Sequence, residues 1–339
     1  MRVLFIGGTG VISRAAAERC VAARFDLTVC TRGRSVRPLP EGVTVLTADW
    51  RDEATAAALA GQRFDAVVDF IAFTEADIER DLHRLRGKVG QFVFISSASA
   101  YQTPPERLPV TEATPLSNPF WAYSRDKIAC EERLMRAWRE ETFPVTIVRP
   151  SHTYDETMIP LRGGYTAIDR MRRGAPVIIH GDGTSLWTLT HTRDVAVGLV
   201  GLLGRTEALG EAFHITGNEW LSWNRIAELL AEAAGATARI VHVPSTIIAR
   251  YDPDWGASLL GDKAHSMIFD NSRIAALVPG FAPSISFRDG AVEIVRWFDG
   301  DAGRRTVDPG FDALCDRLAA ARERMRPQPA RPAPPPAED

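Results

Sequence analysis

Met1-Arg-Val-Leu-Phe-Ile-Gly-Gly-Thr-Gly-Val-Ile-Ser-Arg14 opens the chain, and its reading decides the fold. Arg2 to Ile6 is a short apolar run of the kind that forms a buried parallel strand. Gly7, Gly8 and Gly10 follow, and then an Ala-rich stretch from Arg14 to Ala23 with helical composition. Strand, glycine turn and helix in that order bring bare backbone N–H groups and the positive end of a helix dipole to one point. Such a point suits a pyrophosphate. Gly7 is expected to make the tight turn, and Gly10 to keep side chains away where the backbone nears the phosphates. The usual third glycine is Ser13, which either loosens helix–strand packing or offers a hydroxyl. The stretch predicts a dinucleotide site rather than a merely structural turn.

The remaining 325 residues of a 339-residue chain leave room for one large α/β domain with a smaller lobe. A net charge of −3 gives no electrostatic pull toward nucleic acid or an anionic membrane. Cys20, Cys30, Cys130 and Cys315 are far apart and form no Cys-x-x-Cys, which fits reduced thiols. No signal-peptide pattern precedes the first strand, and no apolar run reaches membrane-spanning length. The expectation is a cytoplasmic protein.

Asp26 to Cys30 reads as the second strand. An NAD site usually places an acid after it to hold the ribose hydroxyls, but here Thr31-Arg-Gly-Arg34 follows. Arg32 can pair with a 2′-phosphate, which leans toward NADP; the alternative is solvated arginines and NAD held without the acid. Val43 to Thr47 is a third strand, with Asp49 and Trp50 at the end where an adenine would lie. Asp49 either accepts from the adenine amino group or is a solvated turn residue. Glu53 to Ala60 is a short helix, and Phe64 to Phe70 is a fourth strand delivering Ile71 and Ala72 to the same edge. Glu75 to Leu85 has the spacing of an outer helix. Gln91 to Ile95 is the fifth strand, and it runs into Ser96-Ser-Ala-Ser-Ala-Tyr101, a serine cluster facing the ligand crevice. Trp121-Ala-Tyr-Ser-Arg-Asp-Lys127 opens a helix reaching about Trp138. Tyr123 and Lys127 share one face of it. An ammonium beside a phenol favours phenolate, so Lys127 is expected to lower the Tyr123 pKa toward acid/base duty.

Gly7-x-x-Gly10, the Ser96–Tyr101 run, Thr111-Glu112, Tyr123-x-x-x-Lys127, Val148-Arg-Pro150, His180-Gly-Asp-Gly183 and Arg193-Asp-Val-Ala196 occur in that order. Over roughly residues 1 to 300 the sequence resembles the extended short-chain dehydrogenase/reductases of the NAD-dependent epimerase/dehydratase type. The resemblance implies a Rossmann-type doubly wound parallel sheet, an α/β core over 1–155 with sheet contributions from later segments. A smaller substrate lobe would follow over 156–325. It makes Ser97 the hydrogen-bonding serine, Tyr123 the acid/base and Lys127 the residue that holds the nicotinamide ribose. It places Gly7, Thr9, Gly10, Val11, Ile12, Arg32, Asp49, Trp50, Ile71, Ala72 and Lys127 around NAD or NADP, with NADP favoured. Ser99, His152 and Trp187 would meet the substrate, and no metal ligand is assigned.

Dehydratases of this family carry an Asp-Glu pair just after the catalytic hydroxyl, and uronate decarboxylases a carboxylate. Here Ala98 and Ser99 stand there, which leaves epimerisation or carbonyl reduction. Pro144 to Arg149 is the sixth strand, and His152 beyond it is a second acid/base, a ligand of a sugar hydroxyl or a structural residue. Leu186 to Thr190 reads as one short strand, Thr192 to Leu203 as a helix capped by Thr192, and Phe213 to Thr216 as a continuation of the sheet. Nucleotide-sugar relatives often have a diphosphate-clamping arginine at the position of Trp187. Their second clamping arginine is also missing from Leu259-Leu-Gly-Asp-Lys-Ala-His265, although Lys263 or His265 can substitute. Trp187 then stacks on a base or is simply core.

The leading expectation is a nucleotide-sugar epimerase working by transient oxidation, with the small-molecule substrate its main partner. The rivals are an NADPH-dependent carbonyl reductase on a non-nucleotide substrate and a non-redox mutase. In the mutase, His152, Asp155 and His191 would share a metal, a grouping their spacing alone is too loose to argue. Chloroplast RNA-binding relatives share the fold, but the chain lacks a basic stripe. Many relatives dimerise through the Tyr/Lys helix, so the resemblance also implies a homodimer. From Arg326 the Pro-rich sequence predicts a disordered tail.

Overall fold

Short apolar strands buried on both faces set the architecture. The computed structural model describes residues 1–34, 37–59 and 61–325, so the Pro-rich segment from Arg326 lies outside the described residues. Strands β1 (Arg2–Ile6), β2 (Asp26–Thr31), β3 (Thr44–Thr47), β4 (Ala66–Asp69), β5 (Phe92–Ile95), β6 (Val145–Pro150) and β7 (Glu211–Ile215) form one sheet. Their order is β7-β6-β5-β4-β1-β2-β3, and every pairing is parallel. Alternate residues serve two cores. Val3, Phe5, Val29, Val68, Val93 and Phe213 turn toward helices α1 (Val11–Ala22) and, further along the chain, Thr192–Leu202. Leu4, Ile6, Val67, Phe94 and Ile147 turn the other way. They meet α3 (Glu75–Leu85) and α4 (Ala122–Glu141), together with Leu59 just past the short helix α2 (Glu53–Ala58). The chain leaves β1 toward β2 on one side and returns to β4 on the other. A crevice therefore opens above the carboxyl ends of β1 and β4.

After Pro150 the chain builds short ladders outside the large sheet: His152–Tyr154 with Leu189–His191, Leu186–Trp187 with Leu221–Ser222, and Pro176–His180 with Arg239–Val243. Trp187, Trp223, Ile226, Phe287 and Ile294 belong to the core of this region. The helix Thr192–Leu202 and strand β7 return to the large sheet layer from within this later part of the chain.

Three boundaries differ from the expectations. Helix α1 starts at Val11, earlier than its composition suggests, because Gly10 caps it and donates its N–H to the Ser13 hydroxyl at 2.9 Å. Ser13 thus spends its hydroxyl on the loop's own backbone. The expected strand Leu186–Thr190 is two strands, split at Thr188 and paired with different partners. The cap before Arg193 is the His191 side chain, whose Nδ1 accepts the Arg193 N–H at 3.1 Å, and Thr192 is already helical.

Helix α4 is fixed to the sheet by a desolvated ion pair. Arg149 of β6 makes a forked contact with Glu131, with Nη2 to Oε2 at 2.6 Å and Nε to Oε1 at 3.0 Å. Ser96 donates its hydroxyl to the same carboxylate at 2.5 Å. The Arg149 guanidinium lies 4.9 Å from the centre of the Tyr101 ring, and the Tyr101 hydroxyl bonds His214 Nδ1 at 3.1 Å. His214 Nε2 donates to the Asp270 carbonyl at 2.6 Å, which leaves Nδ1 as the acceptor. All four cysteines are buried free thiols. Among the described residues no helix is long and apolar enough to cross a membrane. Removing one member of a buried pair strands the other charge. Glu131→Ala should therefore lower the unfolding free energy by about 3–5 kcal/mol, measured by urea denaturation. A loss well under 1 kcal/mol would show that Arg149 finds water instead.

Candidate functional site

The glycine turn forms the floor of the crevice. Gly7 has φ +81°, a conformation that L side chains rarely adopt. A Cβ on Gly10 would meet only Ser13 Oγ, at 3.5 Å, so the space above it is open to an approaching ligand. A cavity of about 210 Å³ beside the turn is lined by Gly7, Thr9, Arg32, Asp49, Trp50 and Ile71, among others. Arg32 is exposed at its rim. Asp49 spends Oδ1 on the Arg51 N–H at 2.9 Å. Trp50 turns its indole into the core, donating from Nε1 to Asp81 at 2.6 Å. Val11 lines a different groove with Arg14 and Trp297, and Ile12 packs partly into the core.

Asp69, at the end of β4, accepts the N–H groups of Ile71 at 2.5 Å and Ala72 at 2.7 Å. It shapes the turn that presents Ala72. Burial raises the pKa of Asp69, and burial together with the Asp69 charge pushes Asp81 up further. Both effects favour a shared proton between the two carboxyls. The sequence patterns did not single out this pair, because nothing local distinguishes a buried aspartate from a solvated one.

Lys127 is buried and donates to the carbonyls of Ala72 at 2.7 Å and Ile95 at 2.9 Å. Its ammonium lies 4.5 Å from the Phe73 ring centre, 4.7 Å from Phe94 and 6.0 Å from Tyr123. Desolvation brings its pKa down to about 8. Tyr123 does not follow the expectation of a lowered pKa. Burial raises it, the Ser97 hydroxyl bond works downward, and the Asp262 charge adds to the rise. The lysine faces carbonyls rather than the phenol oxygen, so the phenol remains protonated. Ser97 in turn bonds Ser99 Oγ at 2.9 Å, and Ser99 accepts from Ser124 Oγ at 2.9 Å. Of these hydroxyls, Ser99 stands at one of the two positions directly after Ser97, and Ala98 fills the other.

Ser97, Ser99 and Tyr123 line a second cavity of about 250 Å³ together with Trp121, His152, Trp187, Asp262 and Lys263. Among the described residues no arginine lines it. The three residues assigned to the substrate, Ser99, His152 and Trp187, therefore share one space. His152 Nδ1 accepts the Trp187 indole N–H at 3.0 Å, which places the ring proton on Nε2. Burial and the Lys263 charge lower its pKa to about 3, so it is neutral and not an acid/base at neutral pH. Trp187 is buried, held by His152 and packed 5.4 Å from the Trp223 ring. Asp262 and Lys263 sit on a π-helical turn, Leu259–Lys263. Asp262 was missed, because the sequence reading marked this segment only for an absent arginine. His265 does not line the cavity. His152 lines this cavity, whereas Asp155 and His191 line the separate groove that holds Val11 and Arg14, where His191 Nε2 bonds Glu293 at 3.2 Å.

The sequence from 3 to 216 matches the model of the NAD dependent epimerase/dehydratase family. Over 336 residues the chain is 30% identical to 2′-dehydrokanamycin reductase of Streptomyces kanamyceticus, covering 95% of this chain and 92% of that protein. It is 24% identical over 344 residues to the chloroplast stem-loop binding protein of 41 kDa b of Arabidopsis thaliana, covering 95% and 85%. Among solved structures it resembles UDP-glucuronic acid 4-epimerase from Bacillus cereus, with a TM-score of 0.71 at 18% identity over 88% of this chain and 99% of that one. This last likeness carries the fold. With the glycine crevice and the Ser97, Tyr123 and Lys127 arrangement beside it, these matches place the chain in the NAD-dependent epimerase/dehydratase family, among its enzymes.

Proposed function

We propose that the protein is a nicotinamide-dependent carbonyl reductase acting on a ketone that carries no nucleotide diphosphate. The observation that carries this reading is a half-buried, protonated Tyr123, bonded to Ser97, in a cavity whose lining among the described residues holds no arginine. Reduction needs a proton donor at the carbonyl oxygen, and a phenol raised by burial is one at neutral pH. An epimerase working by transient oxidation starts with the reverse transfer, using phenolate as base, which the same burial opposes. The full-length likeness to a reductase supports the same choice.

The crevice fits a dinucleotide. Gly10 leaves room for a pyrophosphate, and Lys127 uses two carbonyls where an ammonium has three donors. Arg32 at the rim, with no acid after β2, supports NADP. A nicotinamide bound there supplies hydride. Ser97 orients the ketone oxygen, and Tyr123 donates its proton to that oxygen as it gains charge. Lys127, 6.0 Å from the ring centre, favours the phenolate left behind. Ser99 and Ser124 hold Ser97 in place.

The direct test offers 2′-dehydrokanamycin and UDP-glucuronic acid in parallel with NADH and NADPH. One equivalent of reduced cofactor should be consumed per ketone reduced, and UDP-glucuronic acid should remain unchanged. Its interconversion without net cofactor change would overturn the reading. Tyr123→Phe should lower kcat by about 10²–10⁴-fold, while cofactor affinity measured by fluorescence stays within about 2-fold. The pH profile has a definite sign. The ammonium form of Lys127 is the active one and its pKa is near 8. Reductive kcat should therefore be level near neutrality and fall as pH rises through about 8. A rate that climbs over that range would mark phenolate as the working form.

A further inference from the structure

From the substrate cavity we infer that Asp262 is a specificity residue that binds an ammonium group of the substrate, so that the enzyme selects amino-bearing sugars or cyclitols over neutral and phosphorylated ones. The inference rests on reading that cavity as the substrate site.

The cavity holds two charged side chains among its lining residues, Asp262 and Lys263. His152 stays neutral there. The two charges are mounted differently. Asp262 is 8% exposed and projects from a π-helical turn, a local distortion that recurs at functional sites. That turn is pinned on both sides of the aspartate. The Gly261 carbonyl accepts from Asn118 Nδ2 at 2.6 Å and Thr103 Oγ1 at 3.1 Å. The Lys263 carbonyl accepts from His180 Nε2 at 2.8 Å and from Ser185 Oγ and Trp223 Nε1, both at 3.2 Å. A Cβ on Gly261 would lie 2.8 Å from Trp121 Cβ, so the turn is packed against the wall of the cavity. The backbone that carries the carboxylate is therefore fixed on both sides.

The carboxylate's only hydrogen-bond partner among the described residues is Lys263 Nζ, at 3.5 Å, a long contact. Burial raises the Asp262 pKa and the neighbouring ammonium works downward, so a cation at this place is what favours the carboxylate form. The lysine ammonium rests over two cavity-lining indoles, 5.0 Å from the Trp121 ring centre and 5.6 Å from Trp187. It shows where a primary ammonium is stabilised: between a carboxylate and aromatic faces. Lysine reaches that place on a four-carbon stem and is partly exposed, so it can withdraw to water. An incoming ammonium then takes its place without adding net charge to the buried site. An incoming phosphate has no such exchange, because the fixed group is the anion. Lys263 cannot serve a diphosphate while Asp262 stays beside it. The lining without arginine among the described residues and the carboxylate on its pinned turn thus act in the same direction.

The test measures binding to the full-length protein by tryptophan fluorescence and calorimetry at pH 7. The probes are methyl 2-amino-2-deoxyglucoside, methyl glucoside and glucose 1-phosphate. Wild type should bind the amine about 10-fold tighter than the neutral glycoside and the phosphate most weakly. Asp262→Asn should abolish the amine preference. Lys263→Met, which removes the competing cation, should strengthen amine binding and leave the neutral glycoside unchanged. Failure to bind the amine, a preference for the neutral or phosphate probe, or a Lys263→Met variant that binds amine more weakly would overturn the proposal. Circular dichroism checks that both variants fold; a folded Asp262→Asn that keeps the amine preference would also overturn the proposal, and Lys263→Met decides the matter if Asp262→Asn does not fold. These measurements need no turnover, so a protein that binds amines but reduces no ketone would refute the reductase reading and leave the amine site standing.

Discussion

The desolvated Arg149–Glu131 contact governs the geometry of the whole site. Glu131 lies on the same helix as Tyr123 and Lys127, at spacings of four residues that stack one above another on a helix face. Fixing Glu131 against β6 therefore fixes the rotation of α4. A slip of one residue would swing the phenol about 100° around the helix axis, away from Ser97. Ser96 binds the same carboxylate, so the loop that carries Ser97 is aligned by the group that aligns the helix. An ion pair with its own hydrogen-bond partners defines one arrangement in a way that apolar packing alone need not, and here the defined quantity is the approach of two hydroxyls.

That arrangement gives the site its chemical bias. The family fold supports hydride transfer in both directions, and the fold alone does not choose between them. The choice lies in which protonation state rests in the cavity. Burial and Asp262 keep Tyr123 protonated, and the lysine that would favour the phenolate is directed at two main-chain carbonyls. Hydroxyls rather than carboxyls stand beside Ser97, which removes the group that eliminates water in dehydratases. On the proposed reading, the lining without arginine among the described residues and the Asp262 carboxyl bear on the other end of the substrate.

Much of this was legible in the sequence because the signals were periodic or ordered. The central parallel strands announced themselves as apolar runs, since they are buried on both faces, unlike the mostly exposed edge strand Thr44–Thr47. The turn at Gly7 was readable because its backbone conformation restricts the residue type. The succession of glycine turn, serine cluster and Tyr/Lys pair located the crevice and the phenol. What stayed hidden depends on through-space contacts. The Asp69–Asp81 pair, the pinning of Ser99 by Ser124, and the placement of Asp262 beside Tyr123 join residues distant in the chain. The Tyr123 pKa was misjudged for a related reason. Helical spacing shows that two side chains share a face, but not which way the ammonium points once carbonyls compete for it. The division of Leu186–Thr190 had no local signal, because one apolar stretch can serve two ladders.

The four buried thiols have a practical meaning. Desolvation raises their pKa values to about 12 for Cys20 and Cys130 and to about 11 for Cys30 and Cys315. The nucleophilic form is thus almost unpopulated while the chain is folded. They sit on α1, β2, α4 and the C-terminal helix Pro309–Arg324. Alkylating reagents should reach them only through opening of those segments. The order in which they are labelled would map where the molecule first comes apart, with no probe added to its surface.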